Sequence, residues 1–311
     1  MEINDIDLSV DFCGTTLQNP IIPASGCFGY GYEMNQFYPI DILGSISFKG
    51  TTLEPRFGNP LPRVAECNDG MINSVGLQNP GISAVLAREL PKLREVFHQP
   101  IIANISGFSF EEYVECCSRI TSQPQVEFIE LNVSCPNIHG GGMSFGVDPI
   151  ILGNLVKEVK KVCTLPLIVK LSPNVTDIVS IAKAAVDNGA SGLCLINTLL
   201  GMRIDINTGK PIIANIMGGF SGPAIFPVAL RMVYQVRKAL PDIAIIGCGG
   251  ISKAEDVVEM IMAGADVVEI GSANLINPYA CMDIIYELPA LLRSLNYDSI
   301  KELNSKRLSS L

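Results

Sequence analysis

Eight short apolar runs rich in β-branched residues recur along this chain, and that rhythm constrains its fold more than any other feature. They are PIIPASG (20–26), SISFKG (45–50), PIIANISG (100–107), FIELNVSCPN (128–137), LPLIVKLSP (165–173), GLCLINT (192–198), IAIIGCGG (243–250) and VVEIGS (267–272). Between them lie stretches with apolar residues at helical spacing, such as DPIILGNLVKEVKKV (148–162), DIVSIAKAAVDNGA (177–190) and SKAEDVVEMIMAGA (252–265). Strands that are apolar almost throughout are buried on both faces, and strands alternating with helices pair in parallel. Eight such units predict an α/β fold in which the sheet closes on itself, a (β/α)8 TIM barrel. Two segments fall outside the repeat. DLSVDFCGTTLQNP (7–20) alternates like a hairpin across the barrel bottom, and the Pro-, Gly- and Asn-rich stretch 51–80 after strand two reads as a long insertion forming a functional loop. No composition break divides residues 1–311, so one barrel domain is expected.

A hydrophobic content of 48% supplies a large core and excludes a disordered chain. Net charge −9 sets the global field against nucleic acid and anionic lipid, yet a few lysines and backbone N–H groups can still hold a small anion. The start, MEINDIDLSV, is acidic and lacks the pattern of a signal peptide, and no apolar run approaches membrane-spanning length. A cytoplasmic protein with reduced thiols is expected. Its ten cysteines show no CxxC or Cys/His spacing, so no metal site is expected.

In a barrel of this kind, chemistry gathers at the C-terminal ends of the strands. Polar residues stand at those ends: Ser25 after strand one, Lys49 after two, Asn104 after three, Asn132 and Cys135 after four, Lys170 in five, Asn197 and Thr198 after six. A lysine among apolar strand residues is costly unless an anion compensates it. Either a strand-end carboxylate such as Glu130 does so, or a bound anionic ligand does, and the presence of two lysines favours the ligand. The glycines of GCGG (247–250), GSAN (271–274) and GGFSG (218–222) allow close backbone approach to a phosphate, although each could instead serve only as a tight turn. Cys163, Cys194 and Cys248 read as buried, inert thiols. Cys135 precedes the glycine-rich IHGGGMSFG, where a closing loop would bring its sulfur to a ligand as base or nucleophile. Neither His98, expected to end a helix, nor His139, in the loop, offers it a partner.

The blocks SFKGTTLEPRFGNPLPR, NSVGLQNPG, LNVSCPN, VKLSPN, INTLLGMRIDINTGKP, GGFSGPAI and IIGCGGI, in that order, resemble the dihydroorotate dehydrogenases over essentially the whole chain. The NVSCPN cysteine resembles class 1, and GGGMSFGVDP with INTLLGMRIDINTGKP resembles the class 1B catalytic subunit. That resemblance implies oxidation of dihydroorotate to orotate with FMN in this chain, and electrons passed to NAD through a partner subunit holding FAD and a [2Fe-2S] cluster. It also implies a homodimer core flanked by two partner subunits.

Residue by residue, the resemblance implies that Cys135 removes the C5 proton while hydride leaves C6, and that Lys170 lies near N1 and O2 of the flavin. Lys49 would reach both flavin and substrate. Asn73, Asn132, Asn197 and Thr198 would bond the pyrimidine, and the segment Ser74, Val75, Gly76 and Leu77 would receive its carboxylate. Ser25, Gly50, Asn104, Asn132 and Ile196 would contact the flavin, and Gly222, Gly249, Gly250, Gly271 and Ser272 its phosphate arm. Two positions depart from the family pattern: Cys248, where methionine is expected, and Phe226, where lysine is common. A fumarate-linked class 1A-like enzyme would share the same half-reaction. A barrel that has lost catalysis would not need intact Cys135, Lys49 and Lys170, and a phosphosugar isomerase would not need the asparagines.

Overall fold

The computed structural model describes residues 6–134 and 144–307. All eight apolar runs form strands: β1 (Ile21–Pro23), β2 (Ile46–Ser47), β3 (Ile101–Ile105), β4 (Val126–Asn132), β5 (Leu167–Leu171), β6 (Gly192–Leu195), β7 (Ala244–Cys248) and β8 (Val267–Ile270). They form one parallel sheet in the order β1-β8-β7-β6-β5-β4-β3-β2, with Val268 opposite Ile21 and Ile46 opposite Ile101. At the seam the Gly44 N–H donates to the Ile21 carbonyl at 3.0 Å. Gly44 is required there, since a Cβ would stand 2.0 Å from the Asn19 carbonyl oxygen. β3, β5, β6 and β8 are buried at every residue, as strands between a packed interior and a helical shell must be.

The helices stop and start where local chemistry dictates. Ser109, Asp148 and Asp177 cap Phe110–Ile120, Pro149–Lys160 and Ile178–Asp187, each side chain accepting a first-turn N–H. Most of the strands are shorter than the apolar runs, because the polar tails of those runs leave the ladder and enter the top loops. The N-terminal hairpin is present, Val10–Phe12 against Thr15–Leu17, turning at Cys13 and Gly14 with φ +48° and +86°. Phe12 meets Phe128 edge to face at 5.5 Å, near the start of β4, and so plugs the bottom.

The insertion is more ordered than a loop. Val64–Cys67 and Gly70–Asn73 form a hairpin, and Met217–Ser221 and Leu199–Met202 extend it into a four-stranded sheet over the barrel top. Sequence reading missed this sheet because its strands are short, glycine-rich and exposed on one side, with partners 146 residues apart at Asn73 and Gly219. His98 stands beyond the helix ending at Arg94 and binds Asp41 through its backbone N–H at 2.7 Å.

Phe128→Ala should cost about 3–5 kcal/mol, the usual range for deleting a fully buried ring. The check is a lowered denaturation midpoint with an unchanged denaturant slope.

Candidate active site

A cavity of about 580 Å³ opens at the C-terminal ends of the strands, between the barrel mouth and the added sheet. That volume is in the range of small-molecule and cofactor sites. Of the residues singled out from sequence, Ser25, Lys49, Asn73, Ser74, Val75, Gly76, Leu77, Asn132, Lys170, Ile196, Asn197, Thr198, Gly249, Gly250, Gly271 and Ser272 line it. Cys135 and His139 lie outside the described residues.

Three of the expected contacts stand off the wall. Gly222, at φ +129°, packs on the hairpin, where a Cβ would meet the Gly70 Cα at 2.4 Å; its glycine serves that close approach. Gly50 sits against Asn104, a Cβ there falling 2.8 Å from Asn104 Oδ1. Asn104 is buried and donates through Nδ2 to Glu130 Oε1, so it belongs to the acid cluster beneath the cavity.

The amide wall is pre-organised. Asn197 Nδ2 donates to Asn132 Oδ1 at 3.0 Å, Asn197 Oδ1 accepts from the Thr198 N–H at 2.8 Å, and the Tyr113 hydroxyl donates to the Asn132 carbonyl at 2.6 Å. The turn at Gly76 and Leu77 has φ +77° and +55°. A Cβ on Gly76 would press within 2.8 Å of the Asn59 backbone nitrogen, so glycine permits this fold-back of the insertion. Opposite, Gly249 and Gly250 take φ +128° and +77°, and Gly250 packs on the Phe226 nitrogen where Phe226–Ala239 begins. Small residues beside a helix start suit a phosphate.

The two lysines differ. Lys170 Nζ lies 2.5 Å from Glu269 Oε2 and 3.8 Å from Glu130 Oε1, both carboxylates fully buried. Its charge is therefore met from within the chain, so for Lys170 the carboxylate alternative holds rather than the ligand that two lysines favoured. Lys49 makes no ion pair with a described residue, and burial holds its ammonium below the usual lysine range. Of the two, Lys49 is the one that lines the cavity without an acid partner among the described residues.

The thiols divide as well. Burial raises Cys163 and Cys194 above the ordinary range, as inert groups behave. Cys248 is buried as expected but lines the cavity, and the hydrogen bond with Cys194, helped by Lys170, holds it at about 7 against burial. Ligand atoms of Cys194, Cys248 and Glu269 lie within 4.8 Å of one another, a proximity that sequence spacing did not reveal. The Lys170 ammonium already occupies Glu269, which makes this group an ion-pair cluster hostile to a second cation. Sequence reading also missed Arg56, whose guanidinium stacks 4.1 Å above Phe108 at the cavity wall. Glu269 was visible as a charge inside VVEI, the same signal that singled out Lys170.

Fold and cavity define a (β/α)8 barrel with a small-molecule-sized site at its mouth, lined by amides and by a lysine with no acid partner among the described residues. The family model described as "Dihydroorotate dehydrogenase" matches residues 7–292, and the chain belongs to that family. A protein of Anoxybacillus flavithermus is 55% identical over 96% of this chain and 95% of its own length. One of Geobacillus sp. WCH70 is 57% identical over 95% of this chain and 94% of its own, and one of Bacillus thuringiensis 55% identical over 96% of both. All three bear the name "Dihydroorotate dehydrogenase B (NAD(+)), catalytic subunit". The fumarate-linked alternative loses its support here.

Opposite outcomes are expected for the two lysines in ligand-free protein. Lys49→Met should raise the melting temperature, because it removes a charge that burial disfavours. The folded pKa lies below the unfolded value, so the penalty is fully present below the folded pKa and fades as pH climbs to the unfolded one, near 10.4. Lys170→Met should cost about 3–5 kcal/mol at neutral pH, since it leaves buried acids without their cation. Thermal unfolding over a pH series checks both.

Proposed function

We propose that the chain is the FMN-binding subunit of an NAD-linked dihydroorotate dehydrogenase, oxidising dihydroorotate to orotate in de novo pyrimidine (UMP) synthesis. The observation that carries this reading is Lys49, a buried cation without an acid partner among the described residues, facing the same cavity as the Asn73, Asn132, Asn197 and Thr198 wall. A planar anion bearing amide edges satisfies both features. The class 1B resemblance and the names of the relatives support the same substrate and acceptor.

Bound FMN would supply the two-electron acceptor for the hydride leaving C6. The residues present fit it: Gly249, Gly250, Gly271 and Ser272 offer backbone to a phosphate, Ser25 and Ile196 line the wall, and Lys170 holds a positive charge at the floor. Lys49 binds the substrate carboxylate or ring oxygen. The asparagines and Thr198 fix the ring's orientation, and Ser74, Val75, Gly76 and Leu77 close the side of the cavity formed by the insertion. Cys135 takes the C5 proton on its Sγ, which must be a thiolate to do so. Electrons leave for NAD through a partner carrying FAD and [2Fe-2S], on a cytoplasmic assembly of a homodimer core and two partner subunits. No helix among the described residues is long and apolar enough to cross a membrane.

The purified chain should be yellow and should bleach anaerobically when dihydroorotate is added; protein that cannot take up FMN overturns the reading. Cys135→Ala should retain the colour while slowing bleaching by about 10²–10⁴-fold, the usual contribution of a positioned base. NAD reduction should require the iron–sulfur partner, and turnover of fumarate by the chain alone would overturn the acceptor.

A further inference from the structure

Two acids and one base share the interior just below the cavity. Glu130 comes from β4, Lys170 from β5 and Glu269 from β8, and both carboxylates have zero exposure. The other groups around them are Ser47 from β2, Asn104 from β3, Cys194 from β6 and Cys248 from β7, with Cys27 after β1. None of these adds a second positive charge. Lys49 acts electrostatically on Cys27 from the same side and makes no ion pair with either acid.

Charge counting decides what such a group can carry. Two carboxylates against one ammonium would leave a net negative charge on fully buried groups, which burial strongly disfavours. Retaining one proton removes that cost. The hydrogen bonds mark where it sits. Glu130 Oε1 accepts from Asn104 and from Ser47 Oγ at 3.3 Å, and Glu269 Oε2 accepts from Lys170 and from Cys194 Sγ at 3.6 Å. The remaining two oxygens, Glu130 Oε2 and Glu269 Oε1, have no hydrogen-bond partner among the described residues.

We propose that one proton is held between Glu130 and Glu269, on the two carboxyl oxygens left without a described partner, so that with Lys170 they form a neutral triad under the cavity floor. Glu269 is then a positioning residue that aims the Lys170 ammonium and sets how much of its charge reaches the site above. Burial and the neighbouring Glu130 both push the Glu269 carboxyl well above the usual range, in agreement with this count. Cys248, held at about 7, adds negative charge on the alkaline side and makes a second ionised carboxylate harder still. The consequence for function, which rests on the reading given above, is that the floor stays neutral instead of repelling a ring that gains negative charge with the hydride.

The test has two arms. In the first, infrared spectra of ligand-free protein at neutral pH should contain a protonated-carboxyl C=O band that shifts in D₂O and is lost in Glu269→Gln and equally in Glu130→Gln, where the remaining acid ionises against Lys170. Carbon-13 NMR of glutamate-labelled wild-type protein gives the same answer if either variant fails to fold. Absence of any protonated glutamate in the wild type, or a band that survives both substitutions, overturns the triad. In the second arm, the Glu130→Gln/Glu269→Gln double variant frees the full Lys170 charge, and sulfite should bind its FMN at least tenfold more tightly than in the wild type. Unchanged sulfite affinity overturns the positioning role. Wild-type protein that binds no FMN would instead remove the functional reading and leave the first arm standing.

Discussion

A charge buried inside a closed barrel gives up most of its hydration, and the arrangement of this chain follows from meeting that constraint. Lys170 is held by acids from two other strands, β4 and β8, that are distant in sequence, so the ion pair exists only when the ring of strands has closed in register. Arg237 shows the same rule in the helical shell. Its guanidinium donates to the carbonyls of Gly264, Pro241 and Ile243 and pairs with Asp266 at 2.8 Å, joining the helix Phe226–Ala239 to the entries of β7 and β8. Such pairs add little net stability compared with an apolar core, but losing one partner is expensive, so they favour one assembly over misregistered ones.

The architecture was legible because a buried strand leaves an unambiguous trace. PIIANISG and LPLIVKLSP have no polar alternation, and in an alternating chain that pattern fits only a parallel sheet covered on both faces. The boundaries were less legible: the apolar runs continue into residues such as Asn197 and Gly249 that leave the ladder to build the cavity wall. The added sheet was invisible because its pairing depends on contacts such as Phe220 with Ile72, which no local pattern encodes.

The site was legible as residue types but not as interactions. Strand-end position located Lys49, Asn132, Asn197 and the late glycine loops, since in a barrel that position alone determines what faces the mouth. It could not say which lysine already had a partner. Glu130 was visible as a candidate and Glu269 as a charge in an apolar strand, yet β5 and β8 are separated by two strands around the ring, and only closure shows that their side chains meet across the interior. Gly222 and Asn104 stand off the cavity wall for a related reason. A glycine or amide at a strand end can serve the protein's own close packing as readily as a ligand's.

The division of labour between the lysines follows. A cation neutralised from within is fixed in place and contributes a constant field, whereas an unpaired one is destabilising until an anion arrives and so converts its own desolvation cost into ligand affinity. Placing Lys170 in the ladder and Lys49 just beyond β2 achieves both with one residue type. The ladder position is rigid, lies against opposing strands and can be matched by acids. The loop position reaches the cavity, where no described acid follows it.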